Sequence, residues 1–341
     1  METRSFDDNC FTLLRNLFAL GIFLNHAFVL TDSKYSILNS GVYVCGFFII
    51  SGFLTFHSFM QKSDLRAFLR KRFRRIYPPY AITILFCLLL GALQTDLTIS
   101  DFFSRSETLR YVCFNLLFLN GLQPTLPGVF EGNALPVMNG ALWTMKIEVL
   151  FYCSVPVVFW LIQRFEHRVV LSVLLVFSLT YTACLYGLFH STGNTFYDTL
   201  AHQFPGEIVC FYLPVLLLYH KEWVCHHWLP LFLFSLPLCT LCLWQGSLLF
   251  AFPLFLTPVI LIVAYSFRCR FRDLSYEFYL LHFPILQTFI HSGITTSIPL
   301  LLLLAFMTTC LMAGILHVGV KSEKLKGMRN ALDLRQLNRK W

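Results

Sequence analysis

Residues 10–26 read Cys10-Phe-Thr-Leu-Leu-Arg15-Asn16-Leu-Phe-Ala19-Leu-Gly21-Ile-Phe-Leu-Asn25-His26, an apolar run holding one arginine and, eleven residues later, one histidine. A helix that crosses a bilayer needs about 20 mostly apolar residues. At 3.6 residues per turn, eleven residues make three turns, so Arg15 and His26 share a face. The rise between them is about 16 Å, which puts one group in each leaflet. Charge at the centre of a span costs about 2.5–3.5 kcal/mol or more. Such a face needs water or protein opposite it, and the helix is expected to line a cavity.

The rest of the chain has the same character. Its 341 residues are 57% hydrophobic and 13% charged, and Phe occurs 37 times. Soluble domains carry about 25% charged residues. The sequence therefore reads as an all-α, polytopic membrane protein, with about ten spans near 10–31, 39–60, 77–94, 140–162, 169–189, 206–219, 228–244, 247–266, 274–292 and 297–318. The stretch 111–122 is too short to cross and reads as re-entrant or interfacial. Of 26 Lys and Arg, 21 fall in alternate loops and the tail, against Lys34, Arg105 and Arg110 on the other side. This asymmetry predicts cytoplasmic N- and C-termini. It also accounts for the net charge of +8 without nucleic acid as a partner. Residues 1–320 read as one membrane domain, and 321–341 as a basic cytoplasmic tail, helical on the inner surface. No cleavable signal peptide is expected. Most of the twelve cysteines, among them Cys45, Cys87, Cys153, Cys184, Cys210 and Cys310, sit in apolar runs and read as packing residues, as does the pair Cys239 and Cys242. No metal site is expected.

Chemistry is sought among the ionisable groups inside spans. Histidine is the natural base near neutral pH, so His26 is a candidate general base; taken alone, it reads sooner as a hydrogen-bonding core residue, with Arg15 snorkelling to headgroups, and its company shifts that balance. Arg72 and Arg75, three apart in the basic run 70–75, present guanidinium forks suited to phosphate, although a topology anchor needs the same charges. Pro78 and Pro79 start or kink the following helix. Ser51, Gly52 and Phe53 allow close backbone approach, which helix packing also explains. Glu148 is an intramembrane acid within the string from Trp143 to Tyr152, with Lys146 two residues before it, on a different face. Tyr279 and His282 bring a second intramembrane histidine. His57, Glu207, Glu277, His291 and His317 lie near span ends and read as interfacial.

Taken together, these features resemble the acyltransferase-3 family of integral membrane acyltransferases. The resemblance rests on Arg-x10-His (Arg15, His26), Phe-Phe-x-x-Ser-Gly-Phe-Leu (with Ser51, Gly52 and Phe53), Arg-x-x-Arg followed by Tyr-Pro (Arg72, Arg75, Tyr77, Pro78), Trp-x-x-x-x-Glu-x-x-Phe-Tyr (Trp143, Glu148, Tyr152), and Tyr-x-x-His-x-Pro (Tyr279, His282, Pro284). They come in the family's order and span about residues 10–320. Lys146 and Val149 replace a serine and a second acid that the family often has, which weakens carry-over in that string beyond Glu148. The chain resembles the stand-alone form, without an extracytoplasmic hydrolase-like domain.

The resemblance implies an O-acetyltransferase that moves an acyl group, usually acetyl from acetyl-CoA, to a hydroxyl of a cell-surface carbohydrate or lipid-linked glycan, in a bacterial inner membrane. It implies His26 as catalytic base, with Arg72 and Arg75 holding the coenzyme phosphates and Arg15 as a further candidate. Glu148 or His282 would orient His26 or the acceptor, and 95–139 would form the acceptor site. Ser51, Gly52, Phe53, Trp143, Tyr152 and Tyr279 would support substrate or structure. Direct transfer and an acetyl-histidine intermediate both remain open. The rival reading is a transporter or flippase of a lipid-linked sugar. It would need inverted halves or paired broken helices, whereas the charged features cluster in the first four spans.

Overall fold

A computed structural model of the chain describes residues 9–33, 40–267, 269 and 271–337, with 321–337 as backbone only. Arg4, Lys34, Arg268, Arg270, Arg339 and Lys340, which enter the charge asymmetry, lie outside the described residues. Among the described residues every regular element is helical and none is a strand. In hydrocarbon each backbone N–H and C=O must be satisfied within the protein, and a helix does so locally.

Ten long helices fall on the ten expected spans: α1 (Phe11–Leu30), α2 (Ser40–Gln61), α3 (Leu65–Gln94), α4 (Trp143–Arg164), α5 (His167–Thr192), α6 (Phe204–Tyr219), α7 (Trp228–Trp244), α8 (Phe252–Ser266), α9 (Ser275–His291) and α10 (Ile298–Leu337). Eight are long and apolar enough to cross a membrane, counting with α6 and α8 the short helical segments before them. Helices α7 and α9 have 17 residues each and fall short of that length. Large apolar side chains such as Leu89, Trp160, Val173, Met307 and Leu311 stand exposed, as lipid-facing residues do. The chain is an all-α, polytopic integral membrane protein.

Two boundaries differ from the sequence reading. Helix α3 begins at Leu65 rather than near 77, so the basic run is helical and Pro78 and Pro79 lie inside the helix. Arg and Lys are good helix formers, and the Thr83 hydroxyl donates to the Pro79 carbonyl at 2.9 Å. Helix α10 runs through residue 320 to Leu337, so the tail continues the last span.

The chain forms two compact units. The first takes in Met1–Asn25, Ser36–Arg72 and Thr144–Asp273. Within it α2 packs on α6 at Gly52, where an added Cβ would collide with the Phe211 carbonyl oxygen. Phe151 and Phe211 stack beside this contact at 4.2 Å. The Ser178 hydroxyl joins α5 to α6, donating to Gly206 O at 2.9 Å and accepting from Val209 N at 3.1 Å. Cys239 and Cys242 are buried in an apolar cluster with Phe252.

The second unit takes in His26–Tyr35, Phe73–Trp143 and Leu274–Trp341. Here α9 is buried along most of its length and packs on α10. Residues 95–139 are far more regular than a loop. They contain the helices Ile99–Ser104 and Ser106–Leu116, and the Asn120 amide donates to Tyr80 Oη and Asn115 Oδ1, both at 2.8 Å. Gln287 of α9 donates to the carbonyls of Leu135 and Val137, and Asn133 donates to Gln287 Oε1 at 2.8 Å. Side-chain amides thus satisfy irregular backbone where water is scarce.

Candidate active site

In the second unit, His26 at the end of α1 meets His282 of α9. His26 Nδ1 and His282 Nε2 are 2.8 Å apart. The ring planes differ by 4° and the ring centres are 5.1 Å apart. That centre-to-centre distance exceeds the nitrogen separation by two ring radii, so both nitrogens lie on the line of centres. The rings are therefore coplanar and edge to edge, a linear hydrogen bond rather than a face-to-face stack.

The direction of this bond follows from its far end. His282 Nδ1 is 2.8 Å from the Tyr279 carbonyl oxygen. A carbonyl only accepts, so His282 Nδ1 carries the hydrogen, and the neutral ring then offers a lone pair at Nε2. His26 Nδ1 must donate to that lone pair. Neutral His26 is thereby fixed as the Nδ1–H tautomer, with its own lone pair at Nε2. His282 is fully buried, whereas His26 keeps some exposure. The sequence of partners resembles that of a catalytic triad: base, orienting group, fixed acceptor.

Local structure explains why α9 holds this geometry. Pro284 has no N–H, so the Leu280 carbonyl four residues back loses its helical donor. The Asn139 amide replaces it at 2.9 Å. Beside it the Tyr279 hydroxyl donates to Ala141 O at 2.6 Å. Between these two, a Cβ on Gly140 would lie 2.8 Å from the Phe283 ring. Phe283 in turn packs its ring edge-on to His26 at 5.2 Å. Residues 139–141 thus clamp the turn that carries His282 and Phe283.

A second group of expected residues assembles in the first unit. Arg72 is only 7% exposed. Its guanidinium lies over the rings of Phe68 at 5.3 Å and Tyr152 at 5.2 Å, a favourable setting for a desolvated cation. The Tyr152 hydroxyl donates to Glu148 Oε1 at 2.5 Å and lies 3.3 Å from Ser51 Oγ. The partner of Glu148 is thus Tyr152, one helical turn on, not Lys146. Arg15 forms an ion pair with Asp273 at 2.7 Å.

The structure therefore joins His26 with His282, and Arg72 with Tyr152, Glu148 and Ser51. Arg72 and Arg75 differ: Arg72 is buried, Arg75 exposed with Arg70, Lys71 and Arg74. Gly52 and Phe53 serve packing, Gly52 against Phe211 and Phe53 against the Phe11 ring at 5.6 Å. Trp143 is half-buried at the start of α4. Glu207 and Glu277, read as interfacial, are 5% and 9% exposed and bond to His202 at 3.1 Å and His317 at 2.9 Å. Asp273, Asn139, Gly140 and Phe283 were not singled out. Only Asp273 had a signal, as an acid closing a loop of arginines.

The chain matches the acyltransferase domain family over residues 8–317. It is similar to Nodulation protein 10 of Rhizobium leguminosarum bv. viciae, 25% identical over 177 residues (47% of this chain and 46% of that protein). It is also similar to an O-acetyl transferase of Shigella phage Sf6, 27% identical over 150 residues (42% and 44%). The chain thus spans a little under half the length of these relatives. No solved structure matches it.

Proposed function

The chain belongs to the acyltransferase domain family, and from that premise we propose that it moves an acetyl group from acetyl-CoA to a hydroxyl of a cell-surface carbohydrate or lipid-linked glycan. The observation that carries this reading is the chain from His26 Nδ1 through His282 to the Tyr279 carbonyl, which leaves Nε2 of His26 as a base. The phage relative's name, an O-acetyl transferase, supports oxygen as the accepting atom.

His26 Nε2 takes the proton of the acceptor hydroxyl as its oxygen attacks the acyl carbonyl. The hydrogen on His26 Nδ1 stays on that nitrogen, donated to His282 Nε2, throughout, so the ring cannot turn its other nitrogen to the substrate. His26 then returns its proton to the departing thiolate. Acetyl-CoA would supply the acetyl group activated as a thioester. The residues present fit its phosphates: Arg75 stands exposed among Arg70, Lys71 and Arg74, and Arg72 adds a guanidinium ordered by Tyr152. Arg15 is compensated by Asp273 and suits the coenzyme least. Glu148, bonded to Tyr152, acts on the ordering of Arg72 rather than on the acceptor proton. No feature among the described residues favours the flippase reading. The setting we propose is a bacterial inner membrane, with both chain termini cytoplasmic.

The test is acceptor-dependent turnover. Reconstituted protein with radiolabelled acetyl-CoA and an extract of host surface glycans is expected to release coenzyme thiol and deposit base-labile label on glycan. Thiol release that is unchanged without glycan, with no labelled glycan, would contradict acyl transfer to carbohydrate.

A further inference from the structure

A cavity in the first unit is not used by the proposed chemistry. Its volume is about 60 Å³, and one water needs about 10–15 Å³ by this measure, so several waters fit. Cys45, Cys210, Glu207, His202 and Tyr186 line it. Cys210 and Cys45 are buried free thiols whose sulfurs stand 2.8 Å apart, one on α6 and the other on α2. Glu207 lines the same cavity as Cys210 and bonds to His202 Nδ1 at 3.1 Å. His202 Nε2 lies 3.8 Å from Asp198. Two close thiols thus share a pocket with a carboxylate that can take a proton and a histidine that can share it.

We propose that Cys45 and Cys210 are a site of oxidation by hydrogen peroxide, which converts them to a disulfide linking α2 to α6. The cavity beside the buried sulfurs has room for a few water-sized molecules, and so for peroxide but not for bulkier disulfides. Glu207 takes the Cys210 proton, because the thiolate is the nucleophile. The Cys210 sulfur attacks one peroxide oxygen and the O–O bond breaks; the departing hydroxide takes up that proton and leaves as water. The Cys45 sulfur then attacks the sulfenic sulfur. The S–S bond forms, the S–O bond breaks, and the hydroxyl leaves as a second water with the Cys45 proton. Two thiols are oxidised and one peroxide is reduced. The product needs the sulfurs at about 2.05 Å, under an ångström closer than they stand.

The full chain in nanodiscs, treated with hydrogen peroxide, quenched, denatured and alkylated with N-ethylmaleimide, tests this. Of twelve cysteines, two are expected to escape alkylation first and to return on reduction, and a peptide joining Cys45 to Cys210 is expected without reductant. Cys45→Ser should leave Cys210 as a sulfenic acid that dimedone, present during denaturation, traps. Glu207→Gln should slow the cross-link about tenfold or more. If Cys45 and Cys210 both remain alkylatable after the exposed Cys113 and Cys153 have been oxidised, the proposal is overturned.

Discussion

Which nitrogen of His26 carries the hydrogen is set by partners that end in a backbone carbonyl, and this makes His282 a positioning residue. His282→Ala should lower kcat about 10–100-fold, the usual effect of losing an orienting partner, with little change in affinity for acetyl-CoA. His282→Gln offers an amide oxygen that can accept from His26 Nδ1 and should recover part of the loss. Equal loss in both variants, or a loss confined to donor affinity, would show that His282 serves packing alone. His26 and Arg15 were legible in the sequence because charge is conspicuous in an apolar run. Of their partners, His282 entered as one only through the resemblance, as an alternative to Glu148, and Asp273 not at all. His282 lies 256 residues from His26 and Asp273 lies 258 from Arg15, and no local pattern joins such positions.

Among the elements, α9 depends on residues 139–141, and these should be sensitive although no charge or nucleophile marks them. Asn139→Leu leaves the Leu280 carbonyl without a donor, which costs about 1–3 kcal/mol. It should lower the thermal midpoint in detergent and reduce kcat together. Gly140→Val drives a side chain into the Phe283 ring that packs on His26; activity should fall with acetyl-CoA binding retained. Wild-type turnover by either variant would contradict the clamp. Nearly all the long helices could be placed from hydropathy, whereas the start of α3 and the order within 95–139 could not. Helix α3 begins in a charged stretch that hydropathy reads as loop, although its Arg and Lys side chains favour helix. Residues 95–139 are ordered by Asn115, Asn120, Asn133 and Gln287, amides whose polarity reads as solvent exposure until their partners are seen.

Across the whole molecule, the basic residues argue for one orientation. Reporter fusions after residue 70 and at the end of α10 are expected to report cytoplasm, and one within 95–105 the opposite side. A reversed pattern would put the Arg72 and Arg75 region away from the coenzyme and end its proposed role. The most direct measurement is label transfer from radiolabelled acetyl-CoA to host surface glycans by reconstituted wild type and His26→Ala, with acetyl-CoA affinity measured on the same samples. We expect transfer by wild type, a loss of about 10²–10⁴-fold in the variant, and equal affinity in both. Undiminished transfer by His26→Ala would show that the base is another residue.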